Sequence, residues 1–492
     1  MSRFLGPDLL TEPYWGQLSM HIPATEVRFH PLSFGDPNGR VFWWQGRLYR
    51  GIPEGKAGFY KEQFSKGIVQ SLVARDLLVG TEVTDLTLDG YPLVLSHKTV
   101  PFVTYAPEWC GAALKAAALK VLDLQIALMR EGLMLQDAHP WNVLFDGPKP
   151  VYVDVGSIVP ISRGKGWAAH GEFLRFFLYP LVLMSEGHGR IARALLCDFN
   201  QGVLESEVTA ICGCASGAHS FRGIGRKAKN AAKSLLPKWV QSVLREVRGA
   251  FRQRERLSEP CEVIASIDRI RTTVESIRLH RARTEWSNYY DDCFPQFTST
   301  KEWTPKHNSM LQIVKDLRPR TMLDVGSNRG WFSQLASRNG TKVVATDVDE
   351  PAISQLYQDA CASGQDILPL LLDCRNPTPG LGICNKELPP ATERLRCDLV
   401  CALALLHHLV FKQSLRFEEI VKALSTFTHN WLLLEFISPE DRYVHEWCTA
   451  RYSWYNLDAL LNVIEADHTV EGVFASNLKT RRLVLCKKKR TG

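Results

Sequence analysis

The stretch TMLDVGSNRGWFSQLA, Thr321 to Ala336, opens a pattern that few folds can satisfy. A short apolar run ends in an acid, passes through a glycine-bearing turn and enters a stretch with helical spacing. The pattern continues through KVVATDVD, a second helical stretch, ILPLLLDC, CDLVCALALLHHL and NWLLLEFIS. Apolar strands alternating with helices predict a parallel sheet covered on both faces, a doubly wound α/β domain over residues 297–492.

The polar residues in this pattern fall where such a sheet binds ligands, at the carboxyl ends of its strands. Asp324 ends the first strand, and Gly326-Ser327-Asn328-Arg329-Gly330 forms the turn into the helix. The spacing is D-x-G-x-x-x-G rather than the dinucleotide pattern G-x-G-x-x-G. Asp347 ends the second strand, where a carboxylate can take both hydroxyls of a ribose. Asp373 ends the third, where it can accept from an adenine amino group.

These segments resemble the class I S-adenosylmethionine-dependent methyltransferases. LDVGSNRGWFS is similar to their first motif, VVATDVD to their acidic second, and CDLVCALALLHHLVF to the strand that meets cofactor and substrate. ILPLLLDCRNPTPGLG and WLLLEFISPEDRYV are closer to bacterial methyltransferases grouped with host-specificity nodulation proteins. The resemblance implies a Rossmann-like fold and S-adenosylmethionine as cofactor. It sets Asp324, Gly326, Ser327, Asn328 and Gly330 around the methionine part, Asp347 at the ribose and Asp373 at the adenine. Ala402 lies on the strand that meets the cofactor.

Methyl transfer from a sulfonium needs a positioned nucleophile, and a hydroxyl acceptor needs a base. His407 and His408 follow the fourth strand, and an imidazole can serve near neutral pH. Glu435, ending the next strand, is the other base candidate. The sequence leaves open which imidazole faces the acceptor. No N-P-P-Y signature of amide methylation follows the fourth strand, which favours an oxygen acceptor on a glycan or other small molecule.

Residues 25–220 mix short strands and helices, an α+β pattern. VFWWQGRLYRGI reads as strand, turn at Gly46, strand; KEQFSKGIVQSLVARDLLV as helix; PLVLSHKTVPFVTY as strands. CGAALKAAALKVLDLQIALMREG is an Ala- and Leu-rich helix with Gly132 placed as its C-cap. D-x-H-P-x-N-V-L-F, then a strand ending V-D-V-G, resembles the loop of aminoglycoside- and choline-type phosphotransferases. The likeness extends to a hinge-like VTYAPEW. It implies Asp137 as the base and Asn142 and Asp154 as magnesium ligands for Mg-ATP. Two positions depart from it. Leu135 replaces the usual histidine, and Arg50 stands where the strand lysine is expected, with no glycine-rich phosphate loop visible. Two readings stand: a kinase-like domain kept for scaffolding or substrate binding, and a second, phosphotransferase activity on the same glycan acceptor. A non-catalytic scaffold with a degenerate cofactor fold is the rival of another class.

Residues 1–24 read as an extension and 221–296 as a basic helical linker. Residues 222–257 hold eleven Lys or Arg against two Glu, with Leu236, Trp239, Val240, Val243, Leu244, Val247 and Phe251 at helical spacing. Such a helix either packs its apolar stripe on a neighbouring domain or lies on an anionic surface such as the inner membrane face. No aromatic-interleaved motif accompanies the charge, so no specific nucleic acid is expected. The chain of 492 residues carries a net charge of +7 and thirteen cysteines without a C-x-x-C pair, and no apolar run of membrane-spanning length. The expectation is a cytoplasmic, multidomain protein.

Overall fold

The computed structural model describes residues 20–161, 166–215, 236–245, 260–280, 284, 295, 297 and 300–489. The expected N-terminal extension up to residue 19 and most of the basic segment 222–257 lie outside them. The described chain divides into two units. One runs to Thr99 and includes Asp154–Ser157; the other holds Val100–Val153 and the chain from Ile158 onward.

The first unit is built on a five-stranded antiparallel sheet. In order across the sheet its strands are Arg28–Phe29, Arg40–Trp44, Arg47–Ile52, Leu93–His97 and Thr81–Val83. Gln45 and Gly46 both have positive φ (48° and 74°), the two-residue turn whose twist suits a tight hairpin. Phe42, Tyr49 and Val94 form its core with Ile22 and Leu88. The predicted helix over 61–79 is two helices, Glu54–Ser65 and Ile68–Ala74, because Gly67 turns left-handed at φ 71°. Of the predicted strands over 92–105, only Leu93–His97 forms.

In the second unit the Ala-rich helix spans Gly111–Arg130, with Gly132 left-handed just past its end at φ 75°. The helix Pro260–Ser276 packs along it, and Arg271 Nε bonds Asp123 Oδ1 at 2.6 Å. The apolar run FLRFFLYPLVLM, residues 173–184, is helical and largely buried, with a π-turn at Leu174–Leu178. In the basic segment, residues 238–245 are helical, and Leu236, Val240, Val243 and Leu244 are buried. Those four residues pack within the protein, whereas Trp239 of the same stripe is exposed and donates from Nε1 to Glu186 Oε1 at 2.8 Å. No described helix is long and apolar enough to cross a membrane.

The doubly wound sheet has seven strands: β1 (Thr321–Val325), β2 (Lys342–Asp347), β3 (Ile367–Leu371), β4 (Cys397–Ala402), β5 (Thr428–Ile437), β6 (His468–Ala475) and β7 (Arg481–Lys488). Their order is β3-β2-β1-β4-β5-β7-β6. The first five are parallel, and β7 runs antiparallel between β5 and β6. The order 3-2-1-4-5 is that of the dinucleotide fold, whose chain reverses direction across the sheet at β1 and β4. Burial on both faces explains the near-continuous apolar runs of β1 and β4.

Candidate functional site

The switch point between β1 and β4 lies where the sequence places its polar residues. In register Asp324 faces Cys401 and Val325 faces Ala402, so Ala402 sits beside the outlet of β1. Asp324 is buried and accepts from Ser333 Oγ at 2.6 Å; burial pushes its carboxyl up to about 6. Gly326 and Ser327 donate to Thr346 O at 2.8 and 3.0 Å, which draws the turn across the end of β2. Asn328 and Gly330 are left-handed at φ 50° and 69°. A Cβ on Gly330 would meet Leu356 Cδ2 at 2.6 Å, so only glycine lets the loop pass so close to the next helix.

Asp347, at the end of β2, accepts from Asn328 N at 2.8 Å and Asp349 N at 3.0 Å. The acid predicted for the ribose thus also binds the glycine loop. Burial raises its pKa against these hydrogen bonds. Asp373 lies two residues past β3 and is paired with Arg375, whose Nε lies 2.9 Å from Oδ1 and 3.1 Å from Oδ2. Those bonds hold its pKa low against partial burial, and both of its carboxylate oxygens are engaged by Arg375.

The residues present fit a cofactor with a polar amino-acid end. Ser327 Oγ is buried with no partner among the described residues, and the two glycines make a cradle that a Cβ would fill. Asp347 and Asp373 stand at successive strand ends, where a nucleoside lies in such folds.

After β4 the helix Leu406–Phe411 carries both histidines. His407 is the inward one. It is 5% exposed, its Nδ1 has no partner among the described residues, and burial lowers its pKa to about 3. Its ring centroid lies 4.1 Å from that of His408 and 6.1 Å from Trp447, nearly parallel to the latter. Glu435 is fully buried. It accepts from Lys306 Nζ at 2.6 Å, from Ala404 N at 2.8 Å and from Ser476 Oγ. Lys306 and these bonds hold its pKa down despite burial, so Glu435 is built as an anchor and is poorly suited to take a proton. Lys306, Ser476 and Ser333 escaped the sequence reading because nothing near them in the chain marks a site. Only the packing of distant elements brings them in.

The kinase-like residues divide between the two units. Asp154 belongs with the first, where Arg50 contacts it and Asp36. Asp137 and Asn142 belong with the second. There Asn142 Nδ2 lies 3.2 Å from Tyr152 OH, which in turn donates to Asp137 O at 2.9 Å. The hinge-like segment is tied to the doubly wound domain. Glu108 and Arg394 form a buried ion pair at 2.5 Å, and Arg394 also donates to Val103 O at 2.6 Å.

Fold and loop geometry together place the C-terminal domain in the fold class of the S-adenosylmethionine-dependent class I methyltransferases. Over most of its length the chain is similar to the nodulation protein NoeA of Rhizobium meliloti (strain 1021). The two are 28% identical over 447 residues, 88% of this chain and 90% of NoeA. No family model matches the chain. Among solved structures, magnesium protoporphyrin IX methyltransferase (ChlM) from Synechocystis PCC 6803 with bound SAH is similar over 42% of this chain and 93% of its own. It shows 14% identity and a TM-score of 0.29. The bifunctional kinase-methyltransferase WbdD is similar over 41% of this chain and 46% of its own, at 17% identity and a TM-score of 0.30.

Proposed function

We propose that the protein is an S-adenosylmethionine-dependent methyltransferase acting on a hydroxyl of a saccharide or another small molecule, and that its kinase-like domain serves scaffolding or substrate binding. The observation that carries this reading is the β1 turn, with its left-handed glycines, the unpartnered Ser327 hydroxyl and Asp347 at the next strand end. When bound there, S-adenosylmethionine supplies an activated methyl group on a sulfonium. The chain's part is to orient and to move a proton. Asp324 and the Ser327 hydroxyl would hold the amino-acid end, Asp347 the ribose and Asp373 the adenine. His407 is assigned the acceptor's hydroxyl proton because it is buried, uncharged and without a partner at Nδ1 among the described residues, with Trp447 stacked against its ring; a pKa of about 3 makes it a weak base, so the transfer needs its imidazolium stabilised as the acceptor binds.

The kinase-like residues support scaffolding because Arg50 already neutralises Asp154, which would otherwise hold magnesium. The basic residues of 222–257 support attraction to an anionic surface, whether the inner membrane face or a charged glycan, in a cytoplasmic protein. Calorimetry with S-adenosylmethionine tests the cofactor. A mass-spectrometric search for a metabolite gaining one methylene on incubation with host extract tests the reaction. Absence of cofactor binding by the folded full chain sinks the reading.

A further inference from the structure

Ala404 has φ 53°, a left-handed conformation that a residue with a side chain rarely adopts, at the turn between β4 and the histidine helix. Its neighbour Leu405 packs on the glycine loop: a Cβ at Gly326 would lie 3.3 Å from Leu405 Cδ1. The strained turn therefore shapes one wall of the methyl-donor cleft, and it leads directly into the helix bearing His407.

What holds the turn is an ion pair from two other parts of the domain. Glu435 lies one residue beyond Leu434, the register partner of Ala402, and its Oε2 accepts from Ala404 N at 2.8 Å. The same oxygen takes Lys306 Nζ at 2.6 Å, with side chains 0% and 7% exposed. Lys306 is fixed in turn by its helix, Pro305–Leu317. There Thr304 N donates to His307 Nδ1 at 2.9 Å, and the His307 ring lies 4.2 Å from Trp331, the first residue of the helix after the glycine loop. The chain of contacts closes on the cofactor site from both sides.

We infer that Lys306 and Glu435 are positioning residues that clamp the Ala404 turn over the glycine loop and so set the affinity of the methyl-donor site; the inference rests on the methyltransferase reading. A carboxylate bonded only by Ala404 and Ser476 would be a buried charge without a counter-ion, free to draw in water and release the turn. Lys306 keeps it dry and fixed. A pair that merely stabilised the fold would change the melting temperature and leave cofactor affinity alone.

The test is calorimetry with S-adenosylmethionine on the full chain, with the melting temperature measured alongside. The double variant Lys306→Met, Glu435→Gln removes both charges at similar volume, a change that folds often tolerate. It should bind the cofactor about 10- to 100-fold more weakly, the scale on which a displaced supporting group damages a site. Adding Ala404→Gly should recover part of that loss, since glycine holds a positive φ without help. A folded double variant with wild-type affinity overturns the inference, as does a loss that Ala404→Gly fails to reduce. If the double variant does not fold, Leu405→Ala carries the test, because it leaves the ion pair intact and removes the wall itself. Wild-type affinity there is equally fatal. A wild-type chain that binds no cofactor refutes the methyltransferase reading itself, a result distinct from a change confined to the variants.

Discussion

The guanidinium of Arg50 is closed onto Asp154: Nη2 meets its Oδ1 while Nη1 lies 2.7 Å from Asp36 Oδ2, with the arginine side chain only 6% exposed. A Cβ added at Gly156 would touch Nη1, so the neighbouring glycine is shaped to the arginine. A fixed cation thus sits on the carboxylate that the kinase-like pattern reserves for magnesium. Mg-ATP should therefore leave the melting temperature of the protein unchanged. Arg50→Ala, which leaves two half-buried acids without their buried counter-ion, should lower the unfolding free energy by about 1–3 kcal/mol in urea titrations. Magnesium-dependent phosphorylation of the acceptor, lost in Asp137→Ala, would show instead a two-activity enzyme.

Asp347 is tied to the glycine loop by the hydrogen bond it accepts from Asn328 N. Asp347→Ala should weaken S-adenosylmethionine binding by roughly 1.5–3 kcal/mol, the range for hydrogen bonds to a charged group. Isothermal calorimetry on a variant of native circular dichroism would show it, and unchanged affinity would remove Asp347 from the site.

His407 should be needed for turnover and dispensable for cofactor binding. The double variant His407→Ala, His408→Ala should lose ~10²–10⁴-fold in kcat with its cofactor affinity kept. Near-normal turnover would mean that the acceptor loses its proton elsewhere.

The same imidazole gives a pH signature in stability. Its folded pKa of about 3, against an ordinary value of 6.5, means that the folded state binds fewer protons than the unfolded one between those pH values. Its contribution to stability is therefore present above pH 6.5 and declines as pH falls toward 3. Asp324, raised from 3.8 to about 6, acts in the opposite sense: its contribution is greatest below pH 3.8 and falls as pH rises through 6. His407→Asn should flatten the acid side of the profile. Lowering the pH from 7 to 4.5 should therefore cost this variant less stability than it costs the wild type, read as the signed shift of the urea midpoint, and equal signed shifts would refute the burial of a neutral imidazole.

Arg394 and Glu108 join the doubly wound domain to the hinge-like segment, with side chains 3% and 0% exposed. Arg394 also lies 3.8 Å above the ring of Tyr105. Glu108→Ala should cost about 3–5 kcal/mol of stability, measured by chemical denaturation. A fragment starting near residue 297 should still bind cofactor but melt lower than the full chain, since it leaves Arg394 without its carboxylate. A fragment as stable as the whole would show that the contact contributes little.

The sequence by itself determined the doubly wound architecture, because strands buried on both faces leave uninterrupted apolar runs and helices leave a different spacing. It also determined where the glycine loop, Asp347 and Asp373 stand, because each lies within a residue or two of a strand end, where local order fixes position. The turn at Gly46 and the end of the Ala-rich helix at Gly132 were legible for the same reason. Only the tertiary structure decided the rest. Which histidine is buried depends on how a six-residue helix rotates against β5 and the segment carrying Trp447, and adjacent His407 and His408 give no periodic signal of it. That Glu435 is an anchor depends on Lys306, 129 residues earlier in the chain. That Arg50 neutralises Asp154 depends on a strand meeting a loop 104 residues away. Electrostatic environment is set by distance in space, and a chain declares its neighbours in space only once it is folded.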